Sequence, residues 1–507
     1  MREFITFDPT ETGMRVINPL ELPEIVLTLG RFLYKSDLVS CILVCKLWHA
    51  AFIQSVWFTL APRSPRRHDP PYSDLEVLKR HRDLVHDIVY NFGVTPELAA
   101  IQFPALLTLT LRGGGQALAP TLVAQHSQLT GLTLSCDDRQ EPPKALWAPA
   151  ARLHSLTSLK ISGFRISEDE CADFWRLCRQ LTELHLHVMD IATSPFLESD
   201  IDGNEKGDEE SENSKVWAGT EMQTLSIASL CGFPLEQQWE IAVRCRNLKV
   251  LAWTHESARL YWLHPDLSSS GLAMASWPQT HKLTLMVNLS DEQLAFIFDS
   301  AQRITQLKLA GVDFGSKSLA AIKRHFPWLQ TFAFTPTSDT TALMAAQILK
   351  GASTLVQFRG GKVNVQSWIQ ESQPKYQLWA CKDTLRILQL SFNLARTGIQ
   401  RRREHEYVFE RLSELTKLED LDVSSEAFGE GTLDFRLGLG LGRLATLTQL
   451  RTFVFFGTEQ RMRLAEVEWM IKHWKKLKKV MGLLSDDWEV EDMLRARFKA
   501  AGIHIPP

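Results

Sequence analysis

Cysteine and net charge are both scarce in this sequence. Only 8 of its 507 residues are cysteine, and no two of them form a Cys-x-x-Cys pair. This excludes a disulfide scaffold or a zinc ribbon as the organising device. Lysine and arginine number 56 against 59 aspartates and glutamates, which leaves a formal net charge of only -3. A general polyanion binder needs a basic surface, so we expect no nucleic-acid partner.

Long apolar runs and catalytic signatures are missing as well. No apolar run approaches the roughly 18 residues that span a bilayer, and the start Met1-Arg2-Glu3-Phe4 does not resemble a signal peptide. We therefore expect no membrane partner and a cytoplasmic or nuclear location. The glycines at 113–115 are not followed by the Lys-Ser/Thr of a phosphate loop, and no metalloprotease, hydrolase or kinase motif occurs. The sequence predicts no catalytic residue, no metal site and no cofactor.

One short phrase, apolar-x-x-apolar-x-apolar, recurs from residue 85 onward. We count about 15 copies up to residue 480, at a mean spacing of about 28 residues. The last two apolar residues of each copy lie on one face of a short strand, and the first turns into the same core. The clearest copies are Leu106-Leu109-Leu111, Leu129-Leu132-Leu134, Leu156-Leu159-Ile161, Leu181-Leu184-Leu186, Ile304-Leu307-Leu309, Leu385-Leu388-Leu390 and Leu418-Leu421-Val423.

The segments between copies predict a return path that is helical where it is clearest. Acidic residues follow Ser167 and Ser290, which suits helix N-caps at both positions. One strand with one return segment cannot bury its apolar face alone, so neighbouring units must stack. The pattern resembles the leucine-rich repeat in its longer intracellular form. Cys178 and Cys245 occupy the position where that family often places a small residue at the end of the helix.

Residues 17–60 do not carry the repeat and predict three short helices. Pro23 suits a first helical turn, Ser36 or Asp37 can cap a second helix, and Trp48 and Phe52 share a face of a third. About 44 residues make a small core, so such a module needs a partner or a neighbouring domain to cover its apolar surface.

This module resembles an F-box. Its elements are Leu22-Pro23, Leu33, Asp37-Leu38, the run Val44-Cys45-Lys46-Leu47-Trp48, and Trp57. The expected fold is α/β: a small N-terminal three-helix F-box at 17–60, a Pro/Arg-rich linker at 61–80, and an irregular leucine-rich-repeat solenoid, or horseshoe, at 81–507. An acidic disordered insertion is expected at about 197–215.

The combination resembles the substrate receptor of an SCF-type cullin-RING ubiquitin ligase. The resemblance implies that the F-box binds a Skp-type adaptor, and through it a cullin-RING ligase, while the repeats bind an unknown protein substrate. The residues implied in the adaptor contact, or in its immediate support, are Leu22, Pro23, Ile25, Leu38, Val44, Cys45 and Trp48. A non-degradative interaction scaffold predicts the same features and remains an alternative.

The repeat geometry also indicates a substrate surface. Residues between the two strand leucines face away from the core, on the concave side of the array. The candidates for substrate contact are Lys160, His185, Lys308, Arg359 and Asp422. The cations among them suit an acidic or phosphorylated segment, although a few cations in such a row also fit an ordinary solvated surface.

Overall fold

The structure is a computed structural model, and its internal contacts divide the chain into two compact units. One comprises Met1–Ile166 with Ala172–Leu177, and the other Ser167–Cys171 with Cys178–Pro507. The described residues are 22–30, 32–61, 75–91, 95–113, 118–140, 146–193, 221–230, 233–255, 276–335, 341–371, 378–395, 397–425, 431–458 and 460–506. The predicted acidic insertion at 197–215, residues 17–21 of the predicted F-box and residues 62–74 of the predicted linker lie outside them.

Short strands recur along nearly the whole chain. Their bounds are β1 (Thr59–Leu60), β2 (Asp87–Tyr90), β3 (Thr108–Arg112), β4 (Gly131–Gln140), β5 (Ser158–Ile166), β6 (Glu183–His187), β7 (Asp190–Ile191), β8 (Thr224–Ala228), β9 (Val250–Thr254), β10 (Lys282–Met286), β11 (Gln306–Ala310), β12 (Thr331–Thr335), β13 (Gln357–Asn364), β14 (Ile387–Asn393), β15 (Asp420–Asp422), β16 (Thr452–Val454) and β17 (Lys479–Met481). Each of the predicted repeat phrases coincides with one of these strands.

Helices fill most of the return segments. They are α1 (Pro23–Gly30), α2 (Lys35–Cys41), α3 (Lys46–Phe58), α4 (Leu75–His81), α5 (Pro96–Ala99), α6 (Ala119–Gln125), α7 (Trp147–Ala151), α8 (Glu168–Arg179), α9 (Leu235–Arg244), α10 (Asp291–Ser300), α11 (Ser316–Ile322), α12 (Thr341–Gly351), α13 (Val365–Glu371), α14 (Gly398–Ser413), α15 (Leu464–His473) and α16 (Trp488–Ala500). Ser290 caps α10 as predicted, because its hydroxyl accepts from the Gln293 N–H at 3.3 Å. Many return helices are shorter than two full turns, and residues 437–446 form only 3-10 turns.

Parallel pairing in register explains the recurring phrase. In the first unit, Leu109, Leu132 and Leu159 are partners on successive strands, and all three are buried. In the second unit, β6 pairs with β8, and each later strand pairs with the next as far as β17. Stacked apolar rows thus form the core, with the intervening residues on the opposite face. This arrangement matches a leucine-rich-repeat type of α/β fold.

The three helices expected near the N-terminus are present, with a corrected cap. Neither Ser36 nor Asp37 stands at the N-cap position of α2, which begins one residue after Tyr34. Asp37 lies inside the first turn, where its carboxylate accepts the Tyr34 N–H at 3.3 Å. The helix α2 therefore begins two to three residues earlier than a side-chain cap at Ser36 or Asp37 would allow.

The boundary between these helices and the repeats also differs from the prediction. The chain passes directly from α3 into β1, and β1 pairs in parallel with β2. The helix α4 begins at Leu75, so the segment predicted as a linker to residue 80 already contains ordered structure before its end. Thr59-Leu60 carries no copy of the repeat phrase, which is why sequence reasoning missed this strand.

The C-terminal residues cover the last strand. Beyond α16 the chain turns back along β17, where the Val480 N–H donates to the His504 carbonyl at 3.0 Å. The His504 N–H in turn donates to the Lys478 carbonyl at 2.8 Å. These two hydrogen bonds extend the sheet of the second unit by one bridge beyond its final strand.

Gly457 occupies a backbone position that a side chain cannot share. Its φ is +68°, and an added Cβ would meet the Ser425 carbonyl oxygen of the preceding repeat. We expect Gly457→Ala to lower the free energy of unfolding by about 2 kcal/mol or more, because backbone strain and a steric clash add. Gly502→Ala is the control, since Gly502 has a φ of +77° but nothing within 4 Å of its added Cβ. Chemical denaturation of both variants measures the difference, and equal losses would contradict the clash.

Candidate docking surfaces

The helices of residues 22–58 expose an unusual amount of apolar surface. Among the described residues, 20 large apolar side chains are exposed, and 11 of them belong to this short stretch. They are Leu22, Ile25, Leu27, Leu29, Phe32, Tyr34, Val39, Leu43, Val44, Leu47 and Phe58. An apolar concentration of this kind marks an interaction surface, since isolated exposed side chains would be spread over the whole chain.

The core beneath this surface is small. Val26, Leu38, Phe52 and Val56 are buried together, with Leu33, Cys41, Ile42, Trp48, Ala51 and Trp57 packed partly against them. Trp48 meets Phe52 edge to face, with the two ring centroids 5.7 Å apart. The apolar residues that remain outside outnumber those inside, so the helices cannot cover their own apolar surface.

The structure separates the residues implied in adaptor binding into two groups. Leu22, Ile25, Val44 and Cys45 are exposed. Leu38 lies in the core, and half-buried Trp48 supports it, so these two side chains hold the helices together. Pro23 opens α1, and its side chain lies outside the described part of the structure.

The helical module is fixed to the first strands by direct contacts. The Trp57 ring stacks on His81 and the Phe58 ring on His86, each with centroids 4.8 Å apart. The Lys35 ammonium donates to the Thr59 carbonyl at 2.5 Å.

Asp87 ties the junction to the next repeat. One of its carboxylate oxygens accepts from the Thr59 hydroxyl at 3.3 Å, and the other accepts from the Thr108 hydroxyl at 2.6 Å. The helices 22–58 and the strands β1 to β3 are thus joined through backbone pairing, ring stacking and a shared carboxylate.

The candidate substrate residues all lie on strands, on the face opposite the leucines. Lys160 belongs to β5 in the first unit, where it pairs in register with Thr133. The other four lie in the second unit, on β6, β11, β13 and β15. Lys308, Arg359 and Lys160 are exposed, whereas His185 and Asp422 are half-buried.

Two of these candidates have local partners. The His185 imidazole lies 2.7 Å from the Glu183 carboxylate, two residues earlier on the same strand. The Asp422 carboxylate accepts the Ser424 N–H at 2.9 Å. Within the described ranges no group of three or more His, Cys, Asp or Glu side chains is arranged to hold a metal ion.

The structure brings Lys308 and Arg359 close together. Each pairs in register with Ala333 on the strand between them. Lys282 on β10 and Lys362 on β13 add two cations that the sequence analysis missed. Strict strand alternation would have found Lys282, since it shares a face with Thr284. Lys362 follows a register shift after Arg359, which no sequence pattern indicates.

Comparisons with known proteins give little direct guidance on function. No protein-family model matches the sequence, and no curated protein matches it. Among solved structures, the chain is similar to an internalin (inlF) from Listeria monocytogenes str. 4b F2365, with 13% sequence identity and a TM-score of 0.41. That match covers 74% of this chain and 86% of the internalin chain. No helix in the described ranges has the length and apolarity needed to cross a membrane.

Proposed function

We propose that this chain is the substrate-recognition subunit of an SCF-type cullin-RING E3 ubiquitin ligase, active in the cytoplasm or the nucleus. The helices of residues 22–58 dock on a Skp-type adaptor, and the exposed face of the parallel strands binds a protein substrate. The subunit itself has no catalytic residue in this proposal. It raises the effective concentration of substrate lysines near ubiquitin carried by a separate enzyme.

The observation that carries this proposal is the apolar surface of the N-terminal helices. A module of about 40 residues whose described core has four buried side chains is marginal on its own, and its 11 exposed apolar side chains leave it incomplete. A protein partner that covers Leu43 and Val44, which are 80% and 64% exposed, would complete the burial. The F-box-like spacing of Leu22-Pro23, Leu38 and the run Val44–Trp48 favours a Skp-type adaptor as that partner.

The junction described above supports the second half of the proposal. A receptor must hold its substrate at a defined distance from the adaptor, since proximity accelerates transfer only if the geometry is maintained. Direct passage of α3 into β1, with the Trp57 and Phe58 ring stacks, provides such a fixed connection in the first unit.

An exposed apolar side chain provides a sharp test of adaptor docking. We expect Val44→Asp to reduce capture of a purified Skp-type adaptor by about tenfold or more, because it places a charge in the centre of an apolar contact. The side chain is exposed, so folding should not change. The matched control is Leu483→Asp, a charge introduced at a 52% exposed apolar side chain of the second unit.

The same pull-down, repeated with cullin present, separates the receptor from a scaffold. Capture of adaptor and cullin by the wild type and the Leu483→Asp variant, but not by Val44→Asp, supports the receptor role. Capture of the adaptor without cullin would favour the non-degradative scaffold. No capture by the wild type would overturn the proposal.

A further inference from the structure

The strand face of the second unit carries cations without acids over a long stretch. From β8 to β14, seven consecutive paired strands contain four cations and no aspartate or glutamate. The four cations are Lys282, Lys308, Arg359 and Lys362. The nearest acids on paired strands are Glu183 on β6 and Asp420 on β15. Negatively charged side chains are therefore absent from the strands β8 to β14.

These four cations also lack anionic partners among the described residues. None of them takes part in an ion pair there. By contrast, Lys317 on a return helix pairs with Glu292 at 2.7 Å, and Arg386 pairs with Glu419 at 3.2 Å. The Gln357 side chain beside Arg359 is a neutral amide. When its amide oxygen is turned toward Arg359, that oxygen accepts a hydrogen bond from the Arg359 Nε at 2.7 Å. The positive charge of this face is thus not neutralised by an acid of the described residues.

Lys308, Ala333 and Arg359 form a notch in this face. The three residues are register partners on β11, β12 and β13, so the two cations stand two strand spacings apart, about 10 Å between Cα atoms. Because Ala333 has only a methyl group, space remains above it between the two long flexible side chains of Lys308 and Arg359. Both cations can then approach one anionic group above Ala333, and a charge-assisted contact from two sides is stronger than one from a single side.

We propose that the face of β10 to β13 binds an acidic peptide segment of a protein partner, with one anionic side chain held between Lys308 and Arg359 above Ala333. The proposal rests on the receptor role, and it specifies the substrate as one that presents an acidic segment. An extended peptide that crosses the strands advances about 3.3 Å per residue. The three steps from β10 to β13, about 14 Å, therefore match four or five residues of peptide.

Direct peptide binding to the full chain tests this inference. The probes are a fluorescein-labelled peptide of alternating glutamate and serine, its glutamine counterpart, and a third version with phosphoserine. Fluorescence anisotropy should show that the wild type prefers the glutamate or phosphoserine peptide over the glutamine peptide, with affinity that falls as salt rises. Lys308→Glu combined with Arg359→Glu should weaken binding of the anionic peptides by about tenfold or more.

Two further variants exclude simple charge effects. Arg402→Glu with Arg403→Glu reverses the same number of charges at two exposed positions of α14, away from the strand face, and should change affinity less than threefold. Ala333→Glu fills the notch with a carboxylate and should weaken binding as strongly as the double reversal, although it changes the net charge by only one. Equal binding of the glutamate, phosphoserine and glutamine peptides, or equal loss in the Arg402/Arg403 variant, would overturn the inference.

Adaptor capture distinguishes a failure of this inference from a failure of the proposed ligase role. The Lys308/Arg359 variant should capture the Skp-type adaptor as the wild type does, since no residue of the N-terminal helices is altered. Adaptor capture without preference for the anionic peptides would overturn the acidic-segment proposal alone. Preference for those peptides without adaptor capture would overturn the ligase role, and the notch would remain an anionic peptide site.

Discussion

Phe52→Ala should unfold the helices of residues 22–58 while leaving the strands of the second unit folded. Phe52 is only 1% exposed and belongs to a core that, in the described residues, has four buried side chains. Removing a buried phenylalanine ring costs about 3–5 kcal/mol, which is comparable to the whole stability of a module this small. Amide hydrogen exchange should show lost protection in α1 to α3 and unchanged protection in β8 to β17.

Phe32→Ala is the matched control for this prediction. It removes the same ring from a position that is 81% exposed, so the amides of α1 to α3 should keep their protection. Adaptor capture should be lost in Phe52→Ala, because the docking surface no longer exists. Equal loss of protection in both variants would contradict the view that burial of Phe52 stabilises these helices. Spread of the loss to β8 to β17 would contradict the view that its effect is local.

Three buried histidines predict a loss of stability in mild acid. His126, His325 and His405 are each at most 4% exposed. Each ring accepts one backbone N–H, from Phe103, Ile304 and Asp434 respectively, at 3.1 to 3.2 Å. The other ring nitrogen of each lies 2.7 to 3.0 Å from a backbone carbonyl, that of Leu122, Phe298 or Arg401.

This pattern requires neutral imidazoles, because a second ring proton would face an N–H donor. Burial lowers the pKa of all three histidines from its ordinary value of 6.5. The unfolded chain therefore takes up protons at a higher pH than the folded chain. As the pH falls below about 6.5, the free energy of unfolding should fall by up to about 1.4 kcal/mol per pH unit for each histidine, at most about 4 for three.

Urea denaturation at several pH values between 5 and 8 measures this slope. Stability should be level between pH 7 and 8 and should decline from pH 6.5 to 5, above the range where carboxylates dominate. His325→Gln offers one donor and one acceptor without a titrating proton, so it should reduce the slope by up to one third. A stability that does not change between pH 5 and 7 would show that the rings do not stay neutral in the folded chain.

Apolar periodicity predicted the strands because the residues that face the core must be apolar, so their spacing in sequence follows the strand geometry. Phrases such as Leu181-Leu184-Leu186 leave one register in which every leucine enters the core, and β6 has that register. The return segments were harder to predict. Each return segment only has to cover the core with one of its sides. A helix such as α10 and the 3-10 turns at 437–446 both meet this requirement, so the sequence does not select between them.

The candidate sites were predicted less completely, for two physical reasons. Exposure depends on packing between helices, so the sequence could not separate Val44, which is exposed, from Leu38, which is buried. The charge pattern on the strand face depends on register between repeats. Lys308 and Arg359 are 51 positions apart in sequence, and only parallel pairing through Ala333 makes them neighbours.

The return of the C-terminal residues onto β17 has a consequence for self-association. An uncovered edge strand presents free N–H and C=O groups to any other chain, which is the usual route to strand addition and fibril growth. Here His504 takes the place that a second molecule would occupy, through its two backbone hydrogen bonds with Lys478 and Val480. A chain truncated before Ile503 would leave the Lys478 carbonyl and the Val480 N–H without these partners, and we expect it to self-associate through β17 more readily than the full chain.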